Sequence, residues 1–434
     1  MASFTKVNSP PNEPPLSLGN PCAETKKNRL LICLTGLIDH FDTALYSFLA
    51  PFLAPLFFPT TSATLSLILA YGVFLSGIVC RPFGVWLAHK GAQMGQTQKS
   101  MALALTLLSA AVFGMGLLPT YQTAGAAAPL LLVCVRSLID VGAAWERALS
   151  RFSLINKSPD QKAVHLSSIY ESLTITGLFL ASLTSYGVAV GVSWRLFFIL
   201  AGLLSGCLAV WRWLLLFYNA PTKRSAFRKT TIPPPEKLRT LAFKNKRVFL
   251  ALFTLHSVSY ATYAVPFLFF VAFVPLVTSI SKAWLTGNGS LFFAIDLAAL
   301  LSLPYVFRLC SPIRLARLSL GALAVGAPIL FLIIPEGGPI TITLSRLWIV
   351  VWGSLLTLAL PLWERQIVGC EAHRYGLCGL AKTAATSIVG RNLTAILLAC
   401  YHLSHMAIVP GVLLTLLCAG GLFALQVRPP KKPD

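Results

Sequence analysis

Twelve apolar stretches follow one another along this chain, and they decide what it can fold into. A helix crossing the hydrocarbon core of a bilayer needs about 20 predominantly apolar residues. Such stretches run at about 30–58, 65–88, 100–118, 129–150, 164–190, 194–218, 248–276, 289–307, 314–335, 339–362, 376–400 and 405–427. The eighth is the weakest, because Asp296 lies in it and Pro304 interrupts it. Charged residues are 11% of the chain, against roughly 25% in soluble domains. Inside a bilayer a helix satisfies its own backbone hydrogen bonds. The expected fold is therefore all-α and integral to the membrane, with twelve transmembrane helices.

The formal net charge of +21 does not point to nucleic acid, because the basic residues sit in short connections between apolar stretches. Lys26, Lys27 and Arg29 precede span 1, whereas the loop from Thr60 to Thr64 carries no charge. His89, Lys90 and Lys99 follow span 2, and Arg147, Arg151, Lys157 and Lys162 follow span 4. The connection from Asn219 to Arg247 holds nine Lys/Arg and one acid, Glu236, around the run Thr231-Ile232-Pro233-Pro234-Pro235. Basic loops collect on the cytoplasmic side. The alternation places both termini and the central connection in the cytoplasm, with the spans in a plasma membrane (the inner membrane of a bacterial-type cell). The divisions read as a cytoplasmic tail (1–28), a six-helix bundle (29–218), a basic linker (219–247), a second six-helix bundle (248–427) and a short tail (428–434). The tail before span 1 lacks the apolar core of a signal peptide, so span 1 is expected to be retained. The ten cysteines form no CxxC pair and mostly lie in apolar runs, where they read as small hydrophobes. No metal site and no cofactor is expected. The absence of a nucleophile–base pair or phosphate-binding loop argues against an enzyme.

Asp39, His40 and Asp42 fall within one helical turn near the start of span 1. A carboxylate inside a membrane segment costs about 3 kcal/mol on insertion scales, so it is usually there for function. Like charges this close repel, and one that binds a proton on one side and releases it on the other can drive transport. The membrane potential supplies about 2.3 kcal/mol per charge per 100 mV. Asp42, one turn deeper, is the better candidate for a proton-coupling site. Asp39 is the second, since it can instead pair with Arg29 or Arg81 at the rim.

Four patches carry a family resemblance. The stretch Ile38 to Pro59 reads IDHFDTALYSFLAPFLAPLFFP, and Arg81-Pro82-Phe83-Gly84 lies in span 2. Pro119-Thr120-Tyr121 precedes Ala128-Pro129-Leu130-Leu131-Leu132, then Arg136, then Glu146. Glu364 precedes Arg374-Tyr375-Gly376. These resemble, in order, the EWFDFALYGFLA…FFP, RPLG, LPTY…APILLL…RLLQGFSAGGE and E…RYSG patterns of the major facilitator superfamily. Within it the likeness is to the metabolite:proton symporter group, which includes proline/betaine and dicarboxylate carriers. The superfamily's GDRYGRK between spans 2 and 3 keeps only its glycines, Gly91 and Gly95, and Gln-Gly in span 4 becomes Ile139-Asp140. The chain reads as a divergent member.

The resemblance implies two bundles that rock about a midplane site, with proton-coupled uptake of a small polar metabolite, an amino acid or betaine-like zwitterion or an organic anion, by alternating access. Partners would be the substrate, protons and the lipid bilayer, with the oligomeric state open. Arg136 and Asp140 are four apart and can pair along one helix face, while Arg136 can also hold a substrate carboxylate. Glu171, where the family has a cavity-lining Gln, is a candidate for substrate or a second proton. Tyr260 lies on a stripe with His256 and Tyr263 that is either packing or a binding wall. Asp296 can answer Asp42 across the cavity. Arg81, Glu146 and Arg147 are expected together at the cytoplasmic end as a structural or gating cluster. The acids Asp39, Asp42, Glu171 and Asp296 outnumber the one clear buried base, Arg136, which leans the substrate toward a zwitterion or cation. The lost loop charges motivate the rival reading, a receptor or scaffold that kept the fold without transporting.

Overall fold

The computed structural model describes residues 26–59, 63–155, 160–218, 237–306, 311–368 and 371–427. Most of the N-terminal tail, the first eighteen residues of the basic linker with its proline run, and the C-terminal tail lie outside them. Among the described residues the chain is helical without strands. The twelve long helices are α1 (Lys26–Phe57), α2 (Ile68–Gln93), α3 (Thr97–Gly116), α4 (Ala127–Ile155), α5 (Asp160–Ala189) and α6 (Trp194–Tyr218), then α7 (Lys246–Val277), α8 (Gly289–Val306), α9 (Pro312–Ile333), α10 (Pro339–Ile367), α11 (His373–Ser404) and α12 (Val409–Ala424). Nine of them are long and apolar enough to cross a membrane, α8 and α12 contain shorter apolar helices, and α1 precedes them all.

The packing repeats itself. In the first six helices α1 lies against α4, α5 and α6, α3 against α4 and α6, and α2 against α4. Adding six to each number gives the second set: α7 against α10, α11 and α12, α9 against α10 and α12, and α8 against α10. Such an internal repeat is the architecture of many secondary carriers. Hydrocarbon tails are as apolar as leucine, so close packing has to hold membrane helices together. A Cβ on Gly84 of α2 would stand 2.3 Å from the carbonyl oxygen of Val141 in α4, and one on Gly177 of α5 would stand 2.2 Å from that of Leu37 in α1. Only glycine permits either approach. Large apolar side chains such as Leu200, Leu203, Val210 and Phe217 of α6 point outward and are exposed, as suits a lipid-facing surface.

The two sets meet through α2 and α4 against α11, and through α5 against α8 and α10. They close on the end that carries the central connection. There the His89 ring of α2 lies where a Cβ on Gly376 of α11 would be, with Leu238 beside it, and Phe152 meets Tyr375 edge to face at 6.2 Å. Near their middles α7 and α11 each widen into a π-helical turn, Val265–Phe269 and Ala385–Gly390. Pro266, which has no N–H to donate, falls in the first. Turns of this kind recur at functional sites.

Candidate functional site

α4 carries Arg136, Asp140, Arg147 and Arg151 at spacings of four, seven and four, which line up on one face of a helix. That face turns to α1, α2, α10 and α11, and it organises the charged interior.

Midway along it, Asp140 sits among three arginines. Arg81 Nε of α2 donates to it at 2.9 Å, Arg391 Nη2 of α11 at 3.3 Å, and Arg136 Nη2 lies 3.8 Å away. Asp140 and Arg136 are fully buried and Arg81 is nearly so. Three guanidiniums against one carboxylate leave this cluster net positive. Arg391 also donates to the Phe74 carbonyl at 2.8 Å, so it crosses from the second bundle to the first twice. Arg136 lies over the rings of Tyr46 and Phe74 at 5.3 and 5.1 Å, and its Nε and Nη1 have no hydrogen-bond partner among the described residues.

One level nearer the closed end, Arg147 donates to Asp39, and at 2.5 Å to the Thr43 hydroxyl. Asp42 does not share that environment. It accepts from Ser205 Oγ of α6 at 2.5 Å, and its Oδ1 has no partner among the described residues. Three residues along a helix turn the side chain by about 60°, enough to send one acid to α4 and the other to α6. Asp42 thus faces the inside of the first bundle and does not confront Asp296. Asp296 accepts from Ser354 of α10 at 2.5 Å within the second.

At the closed end Arg151 reaches two acids. Its Nη2 donates to Glu364 of α10 at 2.6 Å and its Nη1 to Glu171 of α5 at 3.3 Å. His256 Nε2 of α7 lies 3.0 Å from the other oxygen of Glu364. Glu171, unpaired in the sequence reading, is therefore paired. Between these levels lies a cavity of about 60 Å³, bordered by Arg81, Arg147, Arg151 and Lys382, with Phe152, Cys378, Thr383 and Thr386. Ala144, Ala148 and Gly379 leave the room for it. Its wall holds four cations and no carboxylate.

Three expectations need correction. Arg81, Glu146 and Arg147 do not form one cluster: Arg81 goes to Asp140, Arg147 to Asp39, and Glu146 accepts from Ser150 inside the first bundle. Asp296 does not answer Asp42 across the cavity, since Asp42 turns to Ser205 and Asp296 to Ser354, while Asp39 reaches Arg147 of the cavity wall. The excess of buried acids over bases shrinks to one, because Arg81, Arg151, Arg212, Arg346 and Arg374 join Arg136 in the interior against seven carboxylates, and the half-buried Arg147, Lys382 and Arg391 reverse it. The cause is helix length. α4 has 29 residues, about 43 Å at 1.5 Å per residue, so Arg147 and Arg151 belong to the helix and not to the loop after it. Lys382 and Arg391 likewise lie well inside α11. Arg391, like Arg346, is a lone positive charge within an apolar stretch of the second half, a signal that was there to read. Tyr260 packs where a Cβ on Gly390 would stand, and meets Tyr263 edge to face at 5.9 Å. It borders a ring ladder continued by Phe267 and Phe293, stacked at 4.3 Å.

The family model described as sugar (and other) transporter matches residues 29–216. Among curated proteins, the alpha-ketoglutarate permease of Escherichia coli (strain K12) is 36% identical over 101 residues, 23% of either chain. The proline/betaine transporter of the same strain is 28% identical over 161 residues, 37% of this chain and 31% of that one. The citrate-proton symporter of Klebsiella pneumoniae is 32% identical over 103 residues, 24% of this chain and 23% of that one. The matched stretches thus span a third or less of those relatives' lengths. The likeness to solved structures runs much further along the chain. The proton:xylose symporter XylE bound to a bromo-deoxyglucose superposes with a TM-score of 0.68 at 16% identity, over 92% of this chain and 93% of that one. FucP in its outward conformation gives 0.61 at 12%, over 92% and 97%.

Repeated six-helix bundles enclosing a charged cavity define the class, a polytopic membrane protein with the fold of a secondary carrier. That fold is the one of the solved major facilitator superfamily transporters, and residues 29–216 carry sequence similarity to the sugar (and other) transporter family.

Proposed function

We propose that this protein is a secondary transporter which carries a small anionic metabolite, one bearing carboxylates, together with protons by alternating access. The observation that carries the reading is the cavity between the bundles, walled by Arg81, Arg147, Arg151 and Lys382 without a carboxylate. Arg147 is offset by Asp39 and Arg151 by Glu171 and Glu364, so the net positive charge comes from Lys382 and from the three arginines around Asp140. In a low-dielectric interior it favours an anion, and guanidinium can hold a carboxylate in two parallel hydrogen bonds. Arg136, with two nitrogens unpartnered among the described residues and set among rings, is a further contact for an anion entering from the other end. Two relatives with local sequence similarity are named for alpha-ketoglutarate and for citrate with protons. Their names agree with the charge of the wall. The location that goes with this reading is a plasma membrane, with both termini and the basic linker in the cytoplasm and the closed end facing it. Asp39, held by Arg147 at the cavity wall, takes the proton-coupling role in preference to Asp42.

Counterflow of labelled solutes in proteoliposomes, with and without a pH gradient, tests this. Di- and tricarboxylates should exchange, and an inward proton gradient should concentrate them. Exchange of proline or betaine alone would return the zwitterion reading. A broad panel without exchange of any solute would favour the receptor or scaffold.

A further inference from the structure

We infer that Arg346 holds a small monovalent anion of chloride size, taken from solution at the end of the second bundle opposite the closed one, with Phe292 and the connection between α7 and α8 completing the site.

Arg346 lies in the first turns of α10 and is 1% exposed. Its guanidinium stands over the Phe292 ring of α8 at 4.2 Å, and its Nη1 donates at 3.0 Å to the Leu285 carbonyl in the connection from α7 to α8. Its Nε has no hydrogen-bond partner among the described residues. The acids within reach of these elements are committed elsewhere. Asp296, the one acid of α8, accepts from Ser354. Glu364, the one acid of α10, lies at the far end of that helix with Arg151. Glu336, in the turn before α10, is exposed, and the connection 278–288 contains no acid. Among the described residues Arg346 is thus a buried cation without a counter-charge.

The first bundle shows what balances such an arginine. Moving back six helices takes α10 to α4 and α8 to α2. There Arg136 stands over Phe74 of α2 at 5.1 Å, the same pair of groups on the corresponding helices. Asp140, four residues on and 3.8 Å away, supplies the negative charge. Four residues after Arg346 the chain has Val350, apolar and buried. The arrangement therefore occurs once with an acid of the protein and once without. A ring face and a carbonyl offset the burial of a guanidinium only in part, since neither carries a full negative charge. An anion beside Nε would do for Arg346 what Asp140 does for Arg136. Phe292 and Leu285 are themselves buried, which favours a small monovalent ion over a di- or tricarboxylate. Ser281 and Gly287 of the same connection are exposed, so solution meets the connection at this end. The site is separate from the cavity at the closed end, and none of its argument rests on the transport reading.

Thermal unfolding of the full chain in detergent, followed by tryptophan fluorescence, tests this with chloride exchanged for the bulky anion gluconate at constant ionic strength. The parent's midpoint should rise by about 2 °C for each tenfold of chloride above its dissociation constant. Arg346→Gln keeps hydrogen-bonding groups but no charge. It should abolish the rise and, in gluconate, unfold no earlier than the parent, which a merely structural arginine would not allow. Lys382→Met, at the closed-end cavity, should keep the rise. Val350→Asp places on α10 the acid that Asp140 places on α4, and its midpoint should ignore chloride. If that variant does not fold, Arg346→Gln set against Lys382→Met still decides. A rise that survives Arg346→Gln, or that vanishes in Lys382→Met, places the anion elsewhere and overturns the proposal. So does a parent midpoint that is the same in chloride and gluconate. Carboxylate exchange in proteoliposomes has no bearing on these outcomes, and they have none on it.

Discussion

Lys382 is the most informative single residue in the cavity wall, because its amine has no ion-pair partner among the described residues to be stranded by its loss. Lys382→Met should leave thermal stability in detergent near that of the parent. It should weaken anion uptake through KM by roughly 10–100-fold, the worth of one charge-assisted hydrogen bond. Asp140 is the opposite case. Asp140→Asn leaves Arg81, Arg136 and Arg391 facing one another without a counter-charge, and a cost of about 3–5 kcal/mol is expected. A lower midpoint in a thermal unfolding assay should show it, with partial recovery in the double variant that adds Arg391→Gln. The two acids of α1 should also separate. Asp39→Asn should abolish dependence of uptake on the proton gradient, whereas Asp42→Asn should keep it, since Asp42 faces Ser205 inside the first bundle. These roles were only half legible in the chain. Periodicity alone places Arg136, Asp140, Arg147 and Arg151 on one stripe. What periodicity does not tell is which neighbour lies across from each, so Asp140 read as a local partner of Arg136 when its nearest arginines come from α2 and α11.

The helices themselves were far more legible than their ends. A bilayer imposes one length on every crossing, and apolar runs reveal it without reference to tertiary contacts. The helical ends obey a different constraint. α4 and α10 run on past the hydrocarbon and carry Arg151 and Glu364 to the closing surface, where a partner bundle, not lipid, receives them. Hydropathy treats such residues as loop. The glycine at the α2–α4 contact makes a prediction at this scale. Gly84→Leu would drive a side chain into the Val141 backbone, and loss of folded, monodisperse protein is expected by size-exclusion chromatography. Gly72→Ala, where a Cβ meets nothing within 4 Å, should be tolerated. Both glycines interrupt apolar sequence in α2, and only the family-like patch Arg81-Pro82-Phe83-Gly84 sets the second apart.

At the scale of the whole molecule, the six-helix shift that maps one set of contacts onto the other was visible only as a count of spans. The second half retains almost no motif, and packing partners survive changes that erase sequence. The cavity between the sets has one further property. Cys378 borders it between Arg151 and Lys382, and is itself buried. A thiol in that place is a voltmeter already installed. Paired thiol reagents of similar size, one anionic and one cationic, would reach it only as the closed end parts, and mass spectrometry of the peptide that carries it would count each arrival. The ratio of the two rates would read out the electrostatic potential at the cavity in the functioning protein, and its fall on adding a carboxylate would report the cargo settling there, with no transport across the membrane required.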